Sequence, residues 1–312
     1  WLINPLTFLS KALKLDEQRP IADVTTENGN RLLMVHIDGD SFMSIAERPN
    51  RPFNGQVLLD DFFKRYQIPT TMSVIEGEVS AEGLYPQQSP ALEKIARETF
   101  ALPWIELASH SYSHPFYWNK AENAEHGEVY EAYHLPLKNY KYSSEREVAG
   151  SINYINQRLA PKNKQVKVFL WTGNCVSTPD SLAETVKAGV LNMNGGDTTI
   201  TRSNNSWTRI AGLGLKKGNH FQVFAPNQNE NVYTNLWTGP FYGFERVIET
   251  FELTDKPYRF KPINIYYHSY LVSKTAGANS LHKIYQWALQ QPVLAIYSSE
   301  YIQKVLDFND LA

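Results

Sequence analysis

The sequence lacks several features that would assign it to a particular class of protein. Cys175 is the only cysteine in 312 residues, which excludes an internal disulfide bond and a metal cluster held by thiolates. The net charge is -2, from 30 lysine and arginine against 32 aspartate and glutamate residues, so nothing draws the chain broadly to nucleic acid or anionic lipid. No apolar run approaches the roughly 18 residues of a membrane span. We therefore expect a soluble globular protein with no nucleic-acid partner and no membrane span.

Aromatic residues, by contrast, are plentiful. They make up 13% of the chain, with 7 tryptophans and 18 tyrosines, and flat aromatic faces suit sugar rings as well as an ordinary core. The chain starts at Trp1 without an initiator methionine or a signal-peptide pattern, and we expect it to be part of a longer multidomain protein. Within it, residues 1–30 read as a lead-in segment and residues 31–312 as a single domain.

Segments with strand composition alternate with segments of helical spacing along this domain. Residues 32–37 are apolar without polar alternation, as expected of a parallel strand covered on both faces. Further strands are predicted at 70–74, 105–108, 166–171, 190–193, 262–267 and 293–296, and helices at 58–66, 89–99, 144–159, 180–188, 244–251, 278–289 and 299–306. About seven strands alternating with helices predict an α/β fold with a mostly parallel sheet, open or closed, and we favour a distorted (β/α)7-type barrel. Residues 194–243 read as long strand-end loops with short antiparallel strands at 221–224 and 231–235.

Carboxylates and imidazoles follow three of these strands directly. Asp38 and Asp40 end the first strong strand, His110 and His114 follow the third, and His268 follows a later one. The carboxyl ends of parallel strands lie at one rim of the sheet, so all three groups can meet there. An aspartate and two imidazoles form an incomplete shell for a divalent metal, and a second aspartate can take a proton from a water molecule in the open position. One helical turn between His110 and His114 would bring the two rings close enough to bind one ion.

Each of these signals has another reading when it is taken alone. Asp-Gly-Asp after a strand also forms turns and helix caps, and two histidines four residues apart occur by chance on surface helices. A histidine at a strand end, such as His268, is often only a hydrogen-bonded structural residue. A glycosyltransferase could use Asp-Gly-Asp for a metal and a nucleotide-sugar, and a noncatalytic carbohydrate-binding domain could retain a relic of a site. The occurrence of all three groups at strand ends favours a metal-dependent hydrolase.

These residues resemble the motifs of the NodB-homology polysaccharide deacetylases, also called carbohydrate esterase family 4. That family has an acidic motif after its first strand, a His-x-x-x-His motif, and a late histidine after an apolar strand, and here residues 38–40, 110–114 and 265–269 match in that order. Two features depart from the family. Gly39 separates aspartates that are usually adjacent, and residues 170–179 replace the usual Arg-x-Pro motif. The run His-Ile-Asp-Gly-Asp is most similar to the deacetylase domain of PelA-type proteins, which act on a biofilm exopolysaccharide.

The resemblance implies a function and a role for each motif residue. Asp40, His110 and His114 would hold a divalent metal, with zinc favoured, while Asp38 would act as the base and His268 as the acid. Residues 31–312 would then be a catalytic domain that removes N-acetyl groups from a hexosamine-containing polysaccharide, with a periplasmic or extracellular location.

Several other residues are weaker candidates. Asp197 could orient His268 or bind sugar hydroxyls, although Gly-Gly-Asp is equally good as a simple turn. Trp171, Asn174 and Trp237 could shape a sugar-binding cleft, and each could equally be a packing residue. Among the remaining histidines, we expect His36 to be a hydrogen-bonded core residue and His126 and His134 to face solvent.

Overall fold

The computed structural model describes residues 3–15, 23–119 and 134–311; His126 lies outside them. Its strands are β1 Thr26–Glu27, β2 Asn30–Asp38, β3 Thr70–Val74, β4 Ile105–Ser109, β5 Val166–Leu170, β6 Leu191–Met193, β7 Gly214–Lys217, β8 His220–Val223, β9 Ile263–His268 and β10 Val293–Ala295. The helices are α1 Pro5–Ala12, α2 (Asn54–Val57, Leu58–Phe63 and Lys64–Tyr66 in succession), α3 Glu76–Val79, α4 Ser89–Ala101, α5 (Arg146–Gly150, Ser151–Tyr154 and Ile155–Leu159 in succession), α6 Pro179–Lys187, α7 Val247–Leu253, α8 Thr275–Leu289 and α9 Ser298–Leu311. Short 3-10 helices lie at Trp207–Arg209, Glu230–Val232, Gly243–Arg246 and Ser269–Ser273.

Seven strands form a curled parallel sheet in the order β9-β2-β3-β4-β5-β6-β8. The hairpin strand β7 extends the β8 edge in antiparallel fashion, and β10 and β1 pair with the beginning of β2. Within the described ranges, neither β7 nor β8 pairs with β9, so the sheet is a half-barrel. The predicted α/β fold of the distorted (β/α)7 type is therefore confirmed.

The alternation of side chains along β2 explains where the site lies. Leu33, Val35 and Ile37 belong to the large apolar core, whereas Leu32 and Met34 pack on the other face of the sheet with Tyr301, Ile302 and Val305 of α9. Because strand side chains alternate with period two, His36 and Asp38 share the face of Leu32 and Met34. On this face of β2, the apolar side chains that pack against α9 are followed by polar side chains at the carboxyl end of the strand.

One predicted strand is wrong. Residues 231–235 contain part of the 3-10 helix Glu230–Val232, and the antiparallel partner of β8 is β7. The side chain of Asn229 caps this helix by accepting a hydrogen bond from the amide of Asn231. Asn235, Leu236 and Trp237 then adopt left-handed backbone angles, with φ of 50, 53 and 59°, which a strand cannot contain.

Two further findings concern the predicted extent of the domain and the membrane. Strand β1 lies in the predicted lead-in yet pairs with β2, while α1 has no buried residue. The division into a lead-in of residues 1–30 and one catalytic domain of residues 31–312 stays a prediction. Among the helices of the described residues, none is both long and apolar enough to cross a bilayer.

Candidate metal centre

Asp40, His110 and His114 meet at the carboxyl end of the sheet. Asp40 Oδ2 lies 3.1 Å from His110 Nε2, and Asp40 Oδ1 lies 2.9 Å from His114 Nε2. One ligand atom from each of the three residues lies within 4.8 Å of the other two. Burial raises the pKa of Asp40, but the neighbouring histidines outweigh it and hold that pKa well below its usual range. The three side chains therefore present an ionised carboxylate and two imidazole nitrogens to one point.

The hydrogen bonds of His110 leave one ring nitrogen for a ligand. Its Nδ1 donates to the carbonyl of Leu170 at 3.0 Å, because a carbonyl can only accept. The facing atoms His110 Nε2 and Asp40 Oδ2 are both buried and have no hydrogen-bond partner. Buried polar atoms are nearly always satisfied, and a divalent cation between them would satisfy both. The donor set of two nitrogens and one carboxylate fits zinc and related divalent metals.

Gly39 brings Asp40 to this point. A Cβ atom on Gly39 would lie 2.7 Å from the Cα of Val74 and 2.9 Å from the amide nitrogen of Ile75. The chain therefore passes against the end of β3 at a distance that only glycine allows. This close approach gives a physical reason for the glycine between the two aspartates.

The two histidines approach each other as predicted, but their backbone is not a helical turn. The ring centroids of His110 and His114 are 5.2 Å apart. Residues 110–114 form an irregular bend, in which Ser111 and His114 have φ of 68 and 54°. Pro115 follows His114 and disfavours right-handed helical geometry there, so the predicted helical turn is wrong.

Asp38 lies beside the metal ligands but is held by different partners. The hydroxyl of Tyr266 donates to its Oδ2 at 2.7 Å, and the amide of Asn194 donates to both carboxylate oxygens at 3.1 and 3.2 Å. Asn194 Oδ1 lies 3.1 Å from His36 Nε2, and burial lowers the pKa of His36 to about 4. His36 is thus the buried, hydrogen-bonded core residue that was predicted. The carboxylate of Asp38 is oriented by neutral donors.

His268 is paired with a carboxylate that the sequence analysis did not single out. Glu230, which is fully buried, contacts His268 Nδ1 at 2.7 Å and also accepts a hydrogen bond from the His268 amide at 3.1 Å. Tyr270 stacks on the imidazole with 4.8 Å between ring centroids. Burial lowers the pKa of His268, but the carboxylates of Glu230 and Asp40 overcome this and raise the pKa to about 10. At neutral pH the ring is therefore an imidazolium, with its Nε2 3.8 Å from Asp38 Oδ2.

A second missed carboxylate lies close to the ligands. Glu78 is buried, and its Oε1 accepts a hydrogen bond from the amide of Ser41 at 3.1 Å. Burial and the charge of Asp40 raise the pKa of Glu78 to about 8. A predominantly neutral side chain at this position adds little negative charge around the metal ligands at pH 7.

The site opens into a cleft of about 590 Å³. Some of the weaker candidates line this cleft, and others pack behind its wall. Asn174 and Asp197 line the cleft, and Asp197 accepts a hydrogen bond from Gln228 rather than from His268. Trp171 has no exposed surface and donates to Asn192, so its ring supports the wall and offers no face to a sugar. Trp237 packs against Tyr270, which lines the cleft. His134, expected to face solvent, is half-buried.

Comparison with known proteins identifies the fold. The chain is similar to the allantoinase PuuE, with a TM-score of 0.53, 11% identity, and coverage of 93% of this chain and 97% of that one. It is also similar to a 4-alpha-glucanotransferase from Thermococcus litoralis, with a TM-score of 0.52 and 10% identity over 88% of this chain, which spans 40% of the length of that enzyme. A peptidoglycan N-acetylglucosamine deacetylase aligns with a TM-score of 0.48 and 12% identity over 87% of each chain. No family model and no curated protein matches the sequence.

Proposed function

We propose that this chain is a metal-dependent hydrolase that removes N-acetyl groups from a hexosamine-containing polysaccharide and releases acetate. One observation carries the proposal. The ligand atoms of Asp40, His110 and His114 converge in a cleft that also holds an oriented carboxylate and a cationic histidine. Amide hydrolysis needs these groups together, because water must lose a proton and the amine must gain one before it can leave.

The residues of the site divide the proton transfers between them. A divalent cation at the three ligands, with zinc favoured, would polarise the acetyl carbonyl and make a water molecule more acidic. Asp38 takes the proton of the water molecule whose oxygen bonds to the carbonyl carbon. An ionised carboxylate has about four acceptor positions. Tyr266 and Asn194 occupy only some of them, so Asp38 Oδ1 can still accept a proton from water.

His268 completes the reaction on the amine side. Its Nδ1 is held by Glu230, so Nε2 carries the proton that can be transferred. When the carbon–nitrogen bond breaks, Nε2 protonates the nitrogen, and the products are the free amine and acetic acid, which loses its proton to water and leaves as acetate. Asp38 and His268 then exchange their protons with water and return to their starting states.

The alternative functions have less support. A glycosyltransferase would need both aspartates directed at a metal and a diphosphate, whereas Asp38 faces Tyr266 and Asn194. A noncatalytic carbohydrate-binding domain would have no use for a buried Glu230–His268 pair. The motif resemblance further supports a PelA-like exopolysaccharide of biofilms as the substrate, a location outside the cytoplasm, and a longer multidomain parent protein.

The experiment is acetate release from N-acetylated and O-acetylated hexosamine oligomers by the zinc-loaded chain, compared with His268→Ala. We expect release by the parent chain, and a loss of about 10² to 10⁴ in rate for the variant. Bound zinc should be the same in both proteins, since His268 is outside the ligand set. A zinc-loaded parent chain that releases no acetate from the N-acetylated oligomers would contradict the proposal.

A further inference from the structure

The histidine bend, residues 110–114, is buried except at His114 and has an unusual backbone. Ser111 and His114 are both in the left-handed region, with φ of 68 and 54°. Non-glycine residues avoid this region, because their Cβ atoms crowd the neighbouring carbonyl groups. The orientation of His114 therefore depends on contacts that hold the bend in this shape.

Nearly every backbone group of the bend has an identified partner. The carbonyl groups of Ser111 and Tyr112 accept from the amides of Glu76 and Gly77 at 3.1 and 2.9 Å, and the His114 amide donates to Ser111 Oγ at 3.0 Å. The amides of His110 and Ser111 donate to the carbonyl of Val74 at 3.1 Å and to Ser109 Oγ at 3.3 Å. The amides of Tyr112 and Ser113 point toward α5. Both donate to Glu147 Oε2, at 2.9 and 2.8 Å.

Glu147 is the anchor on that side of the bend. It is fully buried, and its Oε1 accepts from the hydroxyls of Ser113 and Tyr140 at 2.5 Å each. Four donors thus converge on one carboxylate, which matches its capacity as an acceptor. The neighbouring Arg146 lies over the Tyr112 ring at 3.5 Å and is paired with Glu76, so adjacent residues of α5 hold both the side chain and the backbone of the bend.

We propose that Glu147 is a positioning residue that sets the affinity of the metal centre by keeping His114 directed at Asp40. The proposal rests on the metal site of the proposed function. Without the carboxylate, the two buried amides that lie between the left-handed residues lose their partner, and the bend loses contacts that offset its strain. The bend then relaxes, and His114, at its carboxyl end, moves away from the ligand position.

The test measures zinc binding by variants of the 312-residue chain in competition with a chromogenic chelator, alongside thermal unfolding of the metal-free proteins. For Glu147→Ala we expect the zinc Kd to rise by about 10- to 100-fold, the range seen when outer partners of metal ligands are removed. Glu147→Gln should have a smaller effect, because its amide oxygen can still accept from the two backbone amides. The matched control is Glu93→Ala, which removes a buried carboxylate that Arg97 and Tyr154 contact, away from the bend. It should lower the unfolding temperature and leave the zinc Kd unchanged.

The outcomes separate this inference from the proposed function. A folded Glu147→Ala chain whose zinc Kd stays within about twofold of the parent value overturns the role of Glu147. If Glu147→Ala does not fold, Glu147→Asp takes its place, because its shorter side chain cannot reach the two amides, and an unchanged zinc Kd in that variant overturns the inference. A parent chain that binds no zinc overturns the proposed function itself.

Discussion

Replacing Glu230 with glutamine should shift the pH dependence of the reaction. Burial lowers the pKa of His268, and the charge of Glu230 is the largest of the causes that raise it to about 10. A histidine whose pKa is raised is protonated, and able to act as an acid, below that pKa. In Glu230→Gln the charge is lost while the shape is kept, so the pKa of His268 falls toward its ordinary value of about 6.5, with Asp40 and Asp38 still opposing the effect of burial.

The expected size of the effect follows from the two pKa values. At pH 8 a histidine with a pKa of about 10 is about 99% protonated, whereas one with a pKa of about 6.5 is about 3% protonated. The acetate release rate at pH 8 should therefore fall by as much as about 30-fold, and the alkaline limb of the kcat profile should move to lower pH by up to about 3 units. At pH 5.5 the parent and the variant should differ far less.

The assay is a kcat profile between pH 5 and 11, with zinc occupancy measured at each pH. The control is Asp197→Asn, which removes a carboxylate from the same cleft that contacts Gln228 and not His268. Its alkaline limb should coincide with that of the parent. If Glu230→Gln keeps the parent's alkaline limb, the assignment of Glu230 as the partner of the acid is refuted.

Three other predictions follow from single contacts. Gly39→Ala should lower the free energy of unfolding by about 1–3 kcal/mol, because its methyl group would lie 2.7 Å from the Cα of Val74. The control is Gly212→Ala, whose methyl group would meet nothing within 4 Å and should leave the thermal unfolding unchanged. Tyr266→Phe removes a donor to Asp38 and should lower kcat about 10- to 100-fold with the zinc Kd unchanged, so an unaltered kcat would argue against Asp38 as the base. Chelation should abolish acetate release and lower the unfolding temperature, and added zinc at about 100 times its Kd should restore about 2.7 kcal/mol of stability. Activity that survives complete removal of metal would contradict the metal's role.

The sequence was informative where local composition matches buried structure. The apolar run that ends in Asp38 predicted β2, and the similar run before His268 predicted β9, because a parallel strand covered on both faces needs apolar residues throughout. The rule that strand ends share one rim then predicted that Asp40, His110 and His114 would meet, as they do. That prediction did not need the register of the strands.

The partners of those residues were not predictable, because they are joined only in three dimensions. Asp197 and Glu230 are the only acidic residues between 194 and 243. This scarcity was the one feature of the sequence that could have pointed to a carboxylate partner for His268. The preceding glycines drew attention to Asp197, but the structure places Glu230 on His268. Glu147 looks like an ordinary glutamate in a helix, and its contact with the histidine bend depends on how α5 packs against the end of β4.

The most direct test of the central claim couples metal analysis to acetate release for the intact chain and for Asp40→Ala. Asp40 supplies the carboxylate of the ligand set, and its Oδ2 faces His110 Nε2 without another hydrogen-bond partner. We predict that the intact chain binds one zinc ion per molecule with release of acetate from N-acetylhexosamine oligomers, and that Asp40→Ala loses both. Stoichiometric zinc and undiminished acetate release in Asp40→Ala would contradict the account.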